Sequence, residues 1–450
     1  MMFRMTWIHP EDRKYQLILW RYSPQDPIKV YELNTNTYGL RSSPYLSIRT
    51  LHQLADDWES THPNSRASAV IRNQIFVDDI LTGSDSLKDA QEIKEELIQL
   101  MKGAGYELRK WSSNAKELLE DLPGDHCEQP LQFDNEDKSF IKVLGIQWDP
   151  NSDSLSYRLN IPTGQPVTKR NILSTIARLY DPCGYCTPVI MRFKCLLQSL
   201  FMDGLNWDEP IPESTSALWN DLIKDLSYLS YLSLRRGTSI ANAVSYQLHG
   251  FGDASELGFA ASIYLRSEDS TGRVKVCLLM AKTRVASKKV CQTIPKLELN
   301  AAQLVCKLLN HVAEALEEFI QIESINAWSD SSIVLSWLQS KPHILQTFEC
   351  NRVQFIQNTP RCMVWKHISS ELNPADCASR GMSAQDLIHH KLWWSPSWLH
   401  LKEFEWPRSR ISMPKEIPGF KKLVHQVTPV YTWYLELLEK TSSFNKLINV

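Results

Sequence analysis

The sequence predicts a multidomain chain of mixed α+β and α/β character, with sheets that carry helices on their faces. Three observations lead there. The 450 residues are 43% hydrophobic, enough for two or three domains with proper cores. In residues 243–255, Val244, Tyr246 and Leu248 alternate with Ser245, Gln247 and His249, the period of a half-buried strand. From Pro295 the period changes, and apolar positions 297, 301, 304, 305, 308, 312, 316 and 319 follow the 3.6-residue repeat of a helix.

Residues 1–50 read as a helical or mixed start with a turn-rich stretch at 38–44. In 71–81 an apolar run encloses Asp78 and Asp79, two carboxylates that cost desolvation energy unless something compensates them. They fit a tight hairpin with both acids solvated at its tip, or a divalent-cation site facing a triphosphate. Residues 86–101 form an amphipathic helix with Leu87, Ala90, Ile93, Leu97 and Met101 on one side, closed by Gly103 and Gly105. Arg109, Lys110 and Trp111 then join two cations to an indole, which suits a nucleic-acid backbone or an ordinary solvated surface.

Residues 119–139 are polar and acidic, a surface linker or insertion. Strands are expected at 142–148 and 154–159, on either side of a turn at 149–151. Residues 168–202 are helical but broken at 180–184, and 207–234 supply a further helix or two. This block has no constellation of acids and reads as scaffold.

The block 240–385 differs. The strand through 243–255 ends at Asp253, and strands at 259–266 and 273–280 follow, joined by the turn 267–272. Glu298 lies in the first turn of the Pro295 helix, where the helix dipole also favours an acid. A strand at 324–329 ends at Asp330, and the helix after it carries Ile333, Val334, Trp337 and Leu338. After a strand at 362–368, Asn373 as cap and Pro374 at the first position start a short helix ended by Gly381, with Asp376 in its first turn. Asp253, Glu298, Asp330 and Asp376 thus stand where one sheet edge can collect them. Unscreened they would repel one another, so together they imply cations: two Mg²⁺ (or Mn²⁺) about 3.5–4 Å apart, the clamp used in phosphodiester hydrolysis. Beside them, residues 282–296 hold Lys282, Arg284, Lys288, Lys289 and Lys296 and no acid, a phosphate contact or a solvated loop.

Composition excludes several classes. Lys and Arg number 49 against 51 Asp and Glu, a net charge of −2, so any basic surface is local. Among ten cysteines only Cys183 and Cys186 have CxxC spacing, with no second pair, which argues for reduced intracellular thiols and against zinc or a disulfide framework. The N-terminus has no apolar leader and no run of 18 apolar residues occurs, so neither secretion nor a membrane is expected.

The stretches FGDASELGFAASIYL, AKTRVASKKVCQTIPKLELNAAQL, AWSDSSIVLSWL and HISSELNPADCASRG resemble the ribonuclease H region of Pol polyproteins from BEL/Pao-type LTR retrotransposons. YGLRSSPYLSIRTLHQLADD, IFVDDILTGSDS and YELRKWSSN resemble later palm motifs of the same family's reverse transcriptase, and DPCGYCTPVIMRFKCLLQSL and LNWDEPIP the segment joining the two. The resemblance implies a partial palm over 1–118, a linker and connection or thumb-like region over 119–237, an RNase H-like mixed sheet with helices over 238–385, and over 386–450 a linker toward an integrase. It makes Asp253, Glu298, Asp330 and Asp376 RNase H metal ligands, Asp78 and Asp79 the paired palm carboxylates, and His367, on a weaker match, a catalytic or structural neighbour. An RNA/DNA hybrid is the implied partner, with the chain in the cytoplasm or in virus-like particles.

The departures carry equal weight. In this family the first palm aspartate precedes a Met-Phe pair, and here the chain begins Met1-Met2-Phe3, so a polymerase without that ligand is expected to be inactive. Integrase and protease parts are absent from the sequence as given. Part of the region goes under the name of a Pao retrotransposon peptidase family, yet no DTG or DSG triplet supplies an aspartic-protease dyad. Two readings follow: a metal-dependent nuclease acting on RNA in RNA/DNA hybrids, or a non-catalytic nucleic-acid-binding relic.

Overall fold

Two units make up the computed structural model, residues 1–154 and 155–450, and it describes residues 2–128, 141–143, 146–157, 166–407 and 417–421. The first unit has a mixed start: short 3₁₀ turns, then an antiparallel pair of β1 (Leu17–Trp20) and β2 (Lys29–Glu32). Its core comes from α1 (Ser43–Thr61), α2 (Arg66–Asn73) and the later α3 (Leu87–Gly103), which bury Leu51, Ala55, Val70, Ile71, Leu97 and Leu100 together. Ser86 caps α3 by accepting the Asp89 N–H at 3.0 Å, so the helix starts where its periodicity does. Between α2 and α3, β3 (Ile75–Phe76) and β4 (Asp79–Ile80) pair as a tight hairpin. The expected single strand at 142–148 is instead a hairpin of β5 (Ile141–Val143) and β6 (Ile146–Asp149). Ile141 pairs with Trp148, so the run folds back on itself.

After β7 (Ser154–Ser156), the helices α4 (Lys169–Arg178) and α5 (Thr187–Met202) meet at the anticipated break. Asp181 explains it: its carboxylate accepts the Tyr157 hydroxyl at 2.6 Å and the Tyr185 and Cys186 N–H groups at 2.9 and 2.8 Å. Gly184 has φ +78, and a Cβ there would lie 1.9 Å from the Ala281 carbonyl oxygen, so only glycine lets the loop lie against the sheet. The CxxC stretch is therefore a helix-start loop, with Cys186 buried at the cap of α5. Next come α6 (Glu213–Leu226) and β8 (Ser233–Arg235).

The main sheet contains β9 (Ala243–Ala254), β10 (Gly258–Asp269) and β11 (Val274–Val285), joined in antiparallel order. The long helix α7 (Ile294–Leu316) then leads to β12 (Ser324–Ser329), which pairs parallel with β9. Beyond α8 (Ser332–Gln339) and α9 (Thr347–Gln357), the parallel edge strand β13 (Val364–His367) completes the order β11-β10-β9-β12-β13. Three short helices follow: α10 (Asp376–Arg380), α11 (Ala384–His389) and α12 (Lys391–Trp394).

Alternation along the strands gives the sheet two buried faces. On one, Leu248, Ala261, Ile263 and Leu265 pack with Leu304, Val305, Leu308 and Leu309 of α7. On the other, Phe251, Tyr264 and Trp328 share a core with Val189, Phe193 and Leu196 of α5 and with Trp393, Trp398 and Trp406. Residues 168–237 and 243–406 are thus one packing problem. The expected linker from 386 is, as far as 406, part of that core: Tyr264 donates its hydroxyl to the Trp393 carbonyl at 2.6 Å. The acidic stretch at 129–139, the end of the 154–159 strand and most of 408–450 lie outside the described residues. Among the described residues no helix is long and apolar enough to cross a membrane.

Candidate metal centre

Parallel pairing of β9 and β12 aligns Gly252 with Ser329, so the next residues, Asp253 and Asp330, lie side by side at the same sheet end. Glu298 arrives from α7, and two glycines control how close that helix comes. A Cβ on Gly250 would lie 2.8 Å from Leu309 and Val305, and one on Gly252 3.0 Å from Val305. Without those side chains α7 settles onto the strand and carries Glu298 to Asp253. Ligand oxygens of Asp253, Glu298 and Asp330 all lie within 4.8 Å of one another.

Asp253 is 2% exposed and Glu298 7%. Burial lifts the Asp253 carboxyl to about 7; the Ser379 hydroxyl bond opposes this, and the charges of Asp330 and Asp376 add to it. Burial, then Asp330 and Asp253, lift Glu298 to about 9. Each protonated carboxyl reports a site that disfavours unbalanced negative charge.

Asp376 is the first residue of α10 and stands outside that group of three. Arg380 donates Nε to its Oδ1 at 2.7 Å. The cap differs from the expected one: Asn373 accepts the Ala375 N–H at 3.1 Å and donates Nδ2 to the Gly252 carbonyl at 3.0 Å. Its side chain ties the turn before Asp376 to the strand of Asp253, and Ala375 takes the cap position. Ser379 donates its hydroxyl to Asp253 Oδ2, and Ser255 donates to the Ser379 carbonyl at 2.8 Å. Ser370 donates to Asp330 Oδ2 at 2.5 Å. His367 ends β13 with Nε2 3.1 Å from the Asp330 carbonyl, while its buried Nδ1 has no partner among the described residues.

The donor set suits a hard cation. Among the described residues Glu298 Oε2 and Asp330 Oδ1 are buried acceptors with no hydrogen-bond donor, and a buried unpaired carboxylate oxygen costs a kcal/mol or more (roughly 1–3) unless something positive meets it. Three carboxylates without sulfur or nitrogen ligands match a hard divalent cation.

The other sequence candidates lie elsewhere. Asp78 and Asp79 are exposed at the β3–β4 turn, where Val77 takes φ +56, a strained value for a β-branched residue. Partial desolvation and the Asp78 charge raise the Asp79 carboxyl, and Lys110 offsets them. Among the described residues no third ligand joins this pair. Arg109 is held by Glu107 at 2.9 Å and Asp125 at 3.6 Å, and Trp111 is half-buried with its backbone bonded to His126 and Glu128. Lys282, Arg284, Lys288 and Lys289 are exposed near the β11–α7 connection. Ser370, Ser379 and Arg380 were not foreseen in the sequence, and Asn373 was read there only as a cap. Ser379 and Arg380 lie three and four residues after Asp376, a spacing that places them on its helix face.

Residues 168–331 match the family described as Pao retrotransposon-like RNaseH-like domain, a span that includes Asp253, Glu298 and Asp330 and ends before His367 and Asp376. No curated protein matches the chain. Among solved structures, the foamy viral protease-reverse transcriptase in complex with an RNA/DNA hybrid is similar in fold. Its TM-score is 0.50 at 12% identity, over 82% of this chain and 43% of that one. The same viral protein in complex with dsDNA scores 0.45 at 12% identity, over 81% of this chain and 65% of that one. The chain therefore spans less than two thirds of either. Residues 168–331 are thus similar to a Pao retrotransposon-like RNaseH-like domain, and the chain is similar in fold to the viral reverse transcriptase.

Proposed function

We propose that the second unit is a divalent-cation-dependent nuclease that hydrolyses the RNA strand of RNA/DNA hybrids. One observation carries the reading: Asp253, Glu298 and Asp330 bring ligand oxygens within 4.8 Å while two of the three are almost fully buried. Such an arrangement is costly for a structural purpose and suited to holding Mg²⁺ or Mn²⁺. Asp253, Glu298 and Asp330 would hold the ions, with Asp376 as fourth ligand once it turns from Arg380. Ions bound there supply water activation and stabilisation of the leaving 3′-oxygen.

The protein's own groups have separate roles. Ser379 and Ser370 fix the Asp253 and Asp330 carboxylates by hydrogen bonds to one oxygen of each, leaving the other for a ligand. Asn373 keeps α10 against β9. His367, whose Nδ1 has no partner among the described residues, would hold or pass a proton near Asp330. Lys282, Arg284, Lys288 and Lys289 offer phosphate contacts. For the first unit we propose no polymerase chemistry, because among the described residues no third ligand joins Asp78 and Asp79.

The test is cleavage of a hybrid with its RNA strand labelled. Cleavage should need Mg²⁺ or Mn²⁺, stop on chelation, and disappear in Asp253→Asn and Asp330→Asn proteins that keep the parental circular dichroism. Cleavage by either variant at the parental rate would sink the assignment.

A further inference from the structure

The sheet edge beyond the acid cluster carries a second charged feature, and part of it comes from the scaffold helices. In register, Asp253 of β9 faces Ala260 of β10, and Ala260 faces Thr283 of β11. Thr283 thus lies two strand spacings from Asp253, about 10 Å. Exposed Lys282 and Arg284 flank it. From α5, Lys194 donates Nζ to the Thr283 carbonyl at 2.9 Å, and Gln198 donates to the Ala286 carbonyl at 2.7 Å. Thr283 in turn donates its hydroxyl to the Ala378 carbonyl at 3.0 Å, which joins this edge to α10 and the acids.

Lys194 of α5 and, from alternate positions of β11, Lys282 and Arg284 thus bring three cations to one stretch of that strand, and among the described residues none of them forms an ion pair. Burial lowers the Lys194 pKa, and the charges of Lys282 and Arg284 lower it further; only buried Asp181 acts in the other direction. Lys288 is also near, since its charge reaches Cys195, the neighbour of Lys194 on α5. An ammonium has three donors, and among the described residues Lys194 uses one. Unneutralised like charges with free donors at a half-buried position fit a diffusible polyanion better than a structural role.

We propose that Lys194, together with Lys282 and Arg284, binds neighbouring backbone phosphates of the nucleic acid, about three nucleotide steps of helix rise from Asp253. The site deepens the hydrolase reading and rests on it. It gives the α4–α5 segment a direct part in gripping substrate.

The experiment measures hybrid binding by the full chain, in chelator to prevent cleavage, across a salt series. Lys194→Met keeps the apolar stem and removes the charge. It should make log K against log salt shallower by about 0.7–0.9, the loss of one phosphate contact. Lys194→Arg should restore the slope, and Gln198→Ala, which removes a neighbouring bond without charge, should leave it unchanged. Should Lys194→Met fail to fold, the exposed pair Lys282→Gln and Arg284→Gln together should flatten the slope by about 1.4–1.8. A parental slope in a folded Lys194→Met protein, or equal losses in Lys194→Met and Gln198→Ala, overturns the proposal and leaves the nuclease standing. Absence of salt-sensitive hybrid binding in the parent overturns both.

Discussion

On the first unit, Asp78 and Asp79 sit at a two-strand turn with their side chains exposed. On the second, Asp253, Glu298 and Asp330 come from a strand, a helix and a strand end, converge within 4.8 Å, and lie partly or wholly out of solvent. Neighbours in an extended chain point to opposite sides, so adjacency alone does not concentrate charge. Residues far apart in sequence do so when a packed scaffold brings their backbones together. Burial then does the rest, because charge removed from water needs a counter-ion.

The largest contrast should appear on substitution of the acids. Asp253→Asn is expected to lower hybrid cleavage by about a hundredfold or more, the loss of several kcal/mol of charge stabilisation. Asp78→Asn should leave the rate within about twofold of the parent. Equal effects at the two positions would erase the distinction.

Next comes the scaffold. Gly252→Val places carbon against Val305 and Ala301, and overpacking of this kind costs about 1–3 kcal/mol. It should lift α7, part Glu298 from Asp253 and weaken Mn²⁺ binding measured by calorimetry. Gly83→Val in the first unit meets nothing within 4 Å and should alter neither stability nor ion binding.

The third expectation concerns pH. Asp253 and Glu298 titrate near 7 and 9 when folded, against ordinary carboxylate values near 4 when unfolded. Between those limits the folded state holds protons that the unfolded chain has released, so their contribution is greatest at low pH and is lost as pH rises. In chelator, the melting midpoint of the second unit should fall by about 5 °C or more between about pH 5 and 9. Added Mn²⁺ should recover it at the alkaline end, and Glu298→Gln should flatten the fall. A Glu298→Gln protein with the parental pH profile would contradict the role of burial there.

A smaller effect is expected from the basic connection. Arg284, Lys288 and Lys289 changed together to Ser should flatten the salt dependence of hybrid binding by about two to three units, with turnover at saturation nearly unchanged. An unchanged slope returns the run to solvated loop. The smallest expected signal is none at all: primer extension by residues 1–450 should be undetectable. Templated incorporation that Asp78→Asn abolishes would show that another group completes the first unit's pair.

Much of the site was legible in one dimension. The alternation before Asp253 and the strand before Asp330 each mark an element end where an acid stands, while the helix of Glu298 starts at Ile294 and carries that acid past its first turn. The cap at Asn373 was legible as a turn but not as a tether, since its bond to the Gly252 carbonyl joins residues 121 apart in the chain. Ser379 and Lys194 were invisible for the same reason: a serine in a short helix and a lysine in a scaffold helix carry no local sign of what lies across from them.

Periodicity and turns are short-range consequences of side-chain size and backbone geometry, so the sequence by itself determined most elements and their order, though not the fold-back at 141–149 or the cap before Asp376. Which ends meet depended on packing between distant segments. Gly250 and Gly252 set the depth of α7 only because Val305 and Leu309 lie opposite them. The tryptophans at 393, 398 and 406 became core only because the sheet presents Phe251, Tyr264 and Trp328 to them. The fate of each carboxylate followed: Asp78 stayed in water and Asp253 did not, since desolvation belongs to the assembled fold and not to the residue.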